Sequence, residues 1–348
     1  MQHRLRLAVV GLGRVSKSHL PAIRELHEHI ELVALVSRDP AKLEQEAAEW
    51  DSVRTYTSYE EALNDPTIDA FLLLLPHDLH ADYAIRALQR GKHVLVEKPM
   101  AMNVTEARSM LDAAEQHGAR LMVGQSRRFF GPVMESIERI RANEIGGLIH
   151  IHALLLAHMD KPATDWWKDE AKIGGFIIPL WGSHILDYIV WAYDRLPESV
   201  YAQGLSNNPN WGGEDEVTIS LNYGTGQMAT VVMSFNAGCR PADAEGLTGK
   251  RIWSTQNSIY QRYVIGQNGM LQLNDEYELA LNGEQVAACE RSNANFTWQL
   301  REFAEAIRDG RQPLASGQEI LRVMQVIDAC FESMRTGQVV SLTRNTSV

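Results

Sequence analysis

Apolar residues recur along the chain in two rhythms, and the change from one to the other comes near position 125. In the first part, short runs that are apolar throughout alternate with segments of helical spacing. RLRLAVVGLGRVSKSHL opens with such a run, Leu5 to Val10, and continues through glycines into a helix. IELVALVSRDPAKLEQEAAEW predicts a second strand ending near Val36, then a helix with Asp39 as N-cap and Pro40 at its first position. IDAFLLLLPHDLHADYAIRALQRG predicts a third strand stopping at Pro76 and a helix ending at Gly91. KHVLVEKP and RLMVGQ supply two further strands around the helix of NVTEARSMLDAAEQHG. Strands without a polar face, alternating with helices, imply a parallel sheet covered on both sides.

Beyond that point the alternation has a period of two. LIHIHALLLAHM, SVYAQGLS, EVTISLNYG, GQMATVVMSFNAG, RYVIGQNGMLQL and YELALNG are strand-like and separated by short turns or irregular loops, which predicts a largely antiparallel sheet. Two helices close the chain, one with a stripe of Phe296, Leu300, Phe303 and Ile307, the other with Ile320, Val323, Met324, Ile327 and Phe331. The expected class is α/β: a Rossmann dinucleotide-binding domain over 1–124, then an α+β domain over 125–348 with a large, mostly antiparallel open sheet.

Composition narrows the class. At 348 residues the chain is long enough for two cores, and 45% of it is apolar. Its uninterrupted apolar runs fall short of the roughly 20 residues of a membrane span, and the N-terminal sequence lacks a cleavable apolar region. A formal net charge of -11 offers no basic stripe for nucleic acid. Cys239, Cys289 and Cys330 are scattered and lack metal-ligand spacing, as expected of free thiols in a reducing cytoplasm. His77 and His80 form an H-x-x-H without an acidic third ligand, so no metal is expected.

The glycine turn carries chemistry. Gly11, Gly13 and Ser16 fit G-x-G-x-x-S after a strand and before a helix. The first glycine permits a tight turn, the second lets the backbone approach a pyrophosphate, and the third position needs a small residue. Arg14 and Val15, inside the same turn, are expected to touch the cofactor. An acid ending the second strand would select NAD. Ser37 and Arg38 stand there instead, and a hydroxyl with a guanidinium suits the 2′-phosphate of NADP. Alternatively, Arg38 stacks on the adenine and Asp39 reaches the ribose. NADP is therefore preferred, with NAD possible. Ligands of such sheets lie outside the carboxyl ends of the strands, where Pro76 and the Glu97-Lys98-Pro99 sequence stand. A lysine held there can donate to a substrate hydroxyl or to the nicotinamide ribose. Equally, Glu97 and Lys98 can be a solvated salt bridge.

These segments resemble the glucose–fructose oxidoreductase, inositol dehydrogenase and rhizopine-catabolism (Gfo/Idh/MocA) oxidoreductases. The resemblance covers nearly the whole chain and rests on GLGRVSKSHL, IDAFLLLLPHDLHADYAIRALQRGKHVLVEKPMAMNVTEA, LMVGQSRRFF and GGFIIPLWGSHILDYIVW. It implies that Lys98 is a catalytic-site lysine, that the proline after it is often cis, and that His80 lines the cofactor pocket. Ser126 stands where relatives often carry Asn, Arg128 matches a common arginine, and both are expected near the cofactor. The resemblance also implies a substrate site on one side of the open sheet and a subunit interface on the other, hence a homodimer or homotetramer.

GGFIIPLWGSHILDYIVWAYD reads as a helix from about Pro179. His184 and Asp187 lie at i and i+3, on one face. Moving a hydride from a carbinol needs a base for the hydroxyl proton, and imidazole titrates closest to working pH. By itself the pair fits a satisfied core histidine equally; the resemblance makes His184 the acid/base. The family pattern D-x-x-x-H carries an aspartate where this chain has Leu180, which puts the commonest polyol geometry in doubt. In HMDKPATDWWKDE, Trp166 and Trp167 offer sugar-stacking faces and Lys168 and Asp165 offer polar contacts, or the aromatics are packing. The expected activity is hydride transfer between NAD(P)(H) and a secondary alcohol or ketone of a sugar, cyclitol or related polyol. The alternatives are an NAD-dependent glycosidase without net redox and a catalytically silent nucleotide-binding regulator.

Overall fold

A computed structural model describes residues 4–159, 162–237 and 258–342. Cys239 and two positions of the loop before Trp166 lie outside them. The chain divides into two compact units, Met1–Phe129 with Ser292–Leu321, and Phe130–Arg291 with Arg322–Val348.

In the first unit the elements follow the order β1 (Leu5–Val10), α1 (Ser16–Glu25), β2 (Ile30–Val36), α2 (Pro40–Ala47), β3 (Arg54–Tyr56), α3 (Tyr59–Leu63), β4 (Ala70–Leu73), α4 (His80–Leu88), β5 (His93–Glu97), α5 (Val104–Gln116) and β6 (Leu121–Gly124). The sheet is parallel throughout, in the order β3-β2-β1-β4-β5-β6. Strand order reverses between β1 and β4, and the carboxyl edge at such a reversal is where this class of sheet binds ligands. β4 is buried at every position and β5 at its three central ones, which is why neither alternates in sequence. Asp39 caps α2, its Oδ1 accepting from the N–H groups of Ala41 at 3.1 Å and Lys42 at 3.3 Å.

The second unit comprises α6 (Gly131–Arg141), β7 (Leu148–Leu156), α7 (Glu170–Ile173), α8 (Ser183–Tyr193), β8 (Ser199–Leu205), β9 (Glu216–Gly224), β10 (Gln227–Ser234), β11 (Ile259–Gly266), β12 (Met270–Asn274), β13 (Glu278–Leu281) and β14 (Glu284–Ala288). After them come α9 (Ala294–Arg308), α10 (Gly317–Thr336) and β15 (Val340–Ser341). Nine strands form the sheet β14-β13-β12-β11-β7-β10-β9-β8-β15, antiparallel except where β7 meets β10. Ile151, Ala153 and Leu155 of β7 are buried on the face that α8 packs against, while His150 and His152 belong to the open face. The helical stretch Glu170–Tyr193 is long and apolar enough to cross a membrane, but 89% of its most apolar window is buried inside the protein. Its hydrophobicity is used by the core.

The division differs from a single boundary at 124/125. The α9 stripe returns to the first unit, where Leu300 and Phe303 are fully buried in one cluster with Leu7, Ile23 and Leu26. Gly317, opening α10, lies against Leu111 and Leu121 of that unit, with no room for a larger residue. A helical stripe shows that a helix is buried, not which core buries it.

Candidate active site

The glycine turn sits at the strand reversal. Gly11 has a φ of +98°, and a Cβ on it would come 2.3 Å from the Leu74 carbonyl oxygen, so the exit of β1 lies directly against that of β4. Only glycine meets both conditions. Gly13 differs: among the described residues nothing lies within 4 Å of its Cβ position, so its backbone is open to approach. The Ser16 hydroxyl donates to the Gly13 carbonyl at 2.7 Å, and no side chain caps the start of α1. An uncapped helix N-terminus behind an open glycine fits a pyrophosphate. The Arg14 guanidinium is pushed down by burial, with Glu97 opposing.

At the end of β2, Ser37 Oγ accepts from the N–H of Asp39 at 3.2 Å, and Arg38 is exposed. The Asp39 carboxylate serves its own helix, as the cap already described shows. A hydroxyl and a guanidinium are thus the polar groups left at this strand end.

Lys98 is half-buried just past β5, and its peptide bond to Pro99 is cis. Burial pushes its ammonium down to about 8; Glu97 raises it, while Arg14 and Arg127 lower it further. Glu97 is engaged by the protein: its Oε1 lies 2.8 Å from Nε2 of His19, a fully buried residue of α1. Burial pushes the Glu97 carboxyl up, but the His19 hydrogen bond and the Lys98 charge outweigh it and hold it below the usual range.

His80 corrects an expectation. It is fully buried, with Nδ1 2.8 Å from the Pro99 carbonyl oxygen and Nε2 2.9 Å from that of Leu75. Burial pushes its pKa down, which favours the neutral ring; with one N–H it donates to one of these two carbonyls, packed between the exits of β4 and β5 rather than lining a pocket. Pro76, between them, is half-buried and precedes a short 3-10 turn, His77–Leu79. Arg128 is likewise committed, buried with Nη1 2.5 Å from Oε2 of Glu319 at the start of α10. Ser126 is buried, its carbonyl accepting from Asn295 at 3.5 Å. Among the described residues no group of three or more His, Cys, Asp or Glu is placed to hold a metal ion. A cavity of about 470 Å³ opens at the opposite, amino edge of this sheet, beside Leu5, Ile68, Lys92 and His93, and no expected site residue lines it.

In the second unit the helix of His184 begins differently from the expectation. Ile178–Gly182 form a wide π turn holding Pro179 and the buried Leu180, and regular α-helix starts at Ser183. Such turns concentrate at functional sites. His184 is half-buried and Asp187, one turn on, is buried. The Trp181 ring stands edge-on to His184 at 6.2 Å and to Tyr260 at 5.7 Å, an aromatic wall for which the sequence carried no signal. Trp167 is buried, with its ring 6.1 Å from Phe176, which stacks on Trp211 at 4.4 Å. It is therefore packing, not a sugar platform. Trp166 is half-buried, and the exposed Lys168 pairs with Asp165 at 3.0 Å.

Residues 5–125 match the oxidoreductase family with an NAD-binding Rossmann fold, and residues 134–259 match the GFO/IDH/MocA C-terminal domain. D-xylose 1-dehydrogenase (NADP(+)) 2 of Haloferax volcanii is 28% identical over 346 residues, covering 97% of this chain and 98% of that protein. The scyllo-inositol 2-dehydrogenase (NAD(+)) of Bacillus subtilis is 25% identical over 352 residues, with 98% and 97% covered. Among solved structures, the aldose-aldose oxidoreductase of Caulobacter crescentus, complexed with glycerol, is similar with a TM-score of 0.83 at 25% identity, over 98% of this chain and all of that one. With both domains matched and a parallel sheet that presents its glycine turn at the strand reversal, this chain belongs to the Gfo/Idh/MocA family of NAD(P)-dependent oxidoreductases.

Proposed function

We propose that the protein interconverts a secondary alcohol and a ketone on a sugar, cyclitol or related polyol, with NADP(H) preferred over NAD(H). The observation that carries this reading is Lys98: a half-buried lysine at the carboxyl edge of the Rossmann sheet, on the same edge as Gly11 and Gly13, with its pKa pushed down to about 8. The dinucleotide, when bound, supplies the hydride acceptor or donor. Gly11, Gly13, Arg14 and Val15 hold its pyrophosphate at the start of α1. Below about pH 8 Lys98 is an ammonium and polarises the substrate oxygen, and His184 takes or returns the hydroxyl proton. Trp166 and Lys168 are proposed to contact the sugar.

The cofactor preference rests on Ser37 and the exposed Arg38, with Asp39 withdrawn into its cap. The relatives include one named for NADP and one named for NAD, so the preference is argued from this strand end alone. The open face of the nine-stranded sheet is proposed to pair with a second copy, giving a homodimer or homotetramer. A fluorescence titration with NADPH and NADH, followed by a panel of pentoses, hexoses and inositols, tests the proposal. NADPH binding the tighter, with turnover of at least one polyol or its ketone, is the expected result. Tighter NADH binding overturns the Ser37-Arg38 reading, and tight binding without turnover across the panel points to a silent nucleotide-binding protein.

A further inference from the structure

The helix that carries His184 is anchored by a buried acid more than thirty positions further along the chain. Phe176 donates its N–H to Oε2 of Glu214 at 3.1 Å, and Ile178 donates to Oε1 at 2.9 Å. Between them, the N–H of Ile177 reaches the main-chain carbonyl of Glu214 at 3.0 Å. One residue thus receives three successive donors that a helix beginning here cannot bond internally. Two glycine pairs make the approach possible. Gly175 has a φ of +113°, and a Cβ there would lie 2.5 Å from the Phe331 ring and 3.0 Å from Oε2 of Glu214. A Cβ on Gly213 would come 2.6 Å from the Gly175 backbone. Glu214 itself is 8% exposed, too buried for water to replace these bonds easily.

Resting on the assignment of His184 as the acid/base, we propose that Glu214 is a positioning residue for it: the carboxylate and carbonyl of Glu214 fix the first turn of the helix and so the placing of the imidazole. A carboxylate accepts strongly at both oxygens, whereas the hydroxyl oxygen of a carboxylic acid is a poor acceptor, so protonation weakens one of the two N–H bonds. The anchor is therefore sensitive to pH. Burial pushes the Glu214 carboxyl up to about 7, against the N–H groups of Ile178, Glu214 and Phe176, and nearby Glu170 raises it further. Among the described residues, the titratable groups that act on it are Glu170 of α7 and the buried thiol of Cys330 on α10, neither of them a cation. Near neutrality both forms of the anchor are therefore populated.

The test uses the full chain with Glu214→Gln and Glu214→Asp beside wild type. Amide exchange at 176–178, corrected for intrinsic rates, reports the anchor without any turnover. In wild type, protection is expected to fall as the pH drops through about 7, while in Glu214→Gln it is low at every pH. At the same time kcat is expected to fall about 10- to 100-fold in Glu214→Gln, with NADPH affinity unchanged, and Glu214→Asp recovers part of it. Exchange that is identical in wild type and Glu214→Gln overturns the anchor; altered exchange with unchanged kcat overturns its link to His184. His184→Asn separates the two readings, since full turnover in that variant refutes the acid/base assignment while the exchange result still stands or falls alone. Should Glu214→Gln not fold, the wild-type pH dependence and Glu214→Asp decide.

Discussion

Lys98 and His184 are supported in contrasting ways. Lys98 follows a strand buried between two parallel neighbours, and the buried ring of His80 packs within hydrogen-bond distance of the next residue's carbonyl and of the exit of β4. Glu97 beside it is held by His19 from α1. Several bonds therefore set that strand end, most of them to main-chain atoms of a rigid sheet. His184 instead stands early in a helix whose first N–H groups all end on one residue, Glu214. A sheet edge is over-determined and insensitive to any one charge; a helix start held by a single carboxyl is not. On the proposed assignment, one half of the chemistry is fixed in place and the other is adjustable.

Substitution at Lys98 sharpens this contrast most. Lys98→Met removes the polarising charge without disturbing the sheet, and kcat/KM is expected to fall about 1000-fold in steady-state assays with the fold intact by circular dichroism. Unchanged turnover would remove Lys98 from the mechanism. In wild type the same ammonium sets an alkaline limb, with the rate of carbonyl reduction declining as the pH rises through about 8.

Next in size is a pair of glycines that share a turn but not a role. Gly11→Ala must place a Cβ against the Leu74 carbonyl at a positive φ, and urea unfolding is expected to show a loss of about 3 kcal/mol. Gly13→Ala meets open space, so its unfolding should stay within about 0.5 kcal/mol of wild type while NADPH affinity drops. Equal destabilisation by both would contradict the distinction.

A smaller effect separates the two supports by pH. The folded pKa of Glu214 lies above its unfolded value, so its contribution to stability is complete below about pH 4.5 and is lost as the pH rises through about 7. Over that window wild type is expected to lose stability relative to Glu214→Gln in unfolding experiments at stepped pH. A constant difference between the two would place the titration elsewhere. Smallest is Arg38→Ala, expected to lower the preference for NADPH about tenfold in the fluorescence titration, as one charge-assisted contact would.

Much of this is legible in the chain alone. The apolar strands, the cap at Asp39, the glycine turn and Lys98 at a strand end all follow from local composition, because a parallel sheet forces its buried strands to be apolar throughout. Trp167 takes the packing side of an open choice, and His80 departs from expectation, for one reason. Their neighbours, Phe176 and the carbonyls of Leu75 and Pro99, are brought to them by folding, and residue type alone does not distinguish a ring that meets a ligand from one that meets the core. The stripe of α9 is buried as its spacing predicts, yet its core belongs to the first unit.

The amino-acid order by itself determined most of the segments that become strands and helices, where the glycine turn falls, and that a lysine follows β5. These depend on neighbours a few positions apart, whose periodicity the chain displays directly. Only the tertiary structure decided that His19 holds Glu97, that His80 braces Pro99, and that Glu214 receives the N–H groups from which the His184 helix starts. Such bonds join residues separated by tens of positions, and nothing in either local stretch encodes the geometry that brings them within about 3 Å of each other.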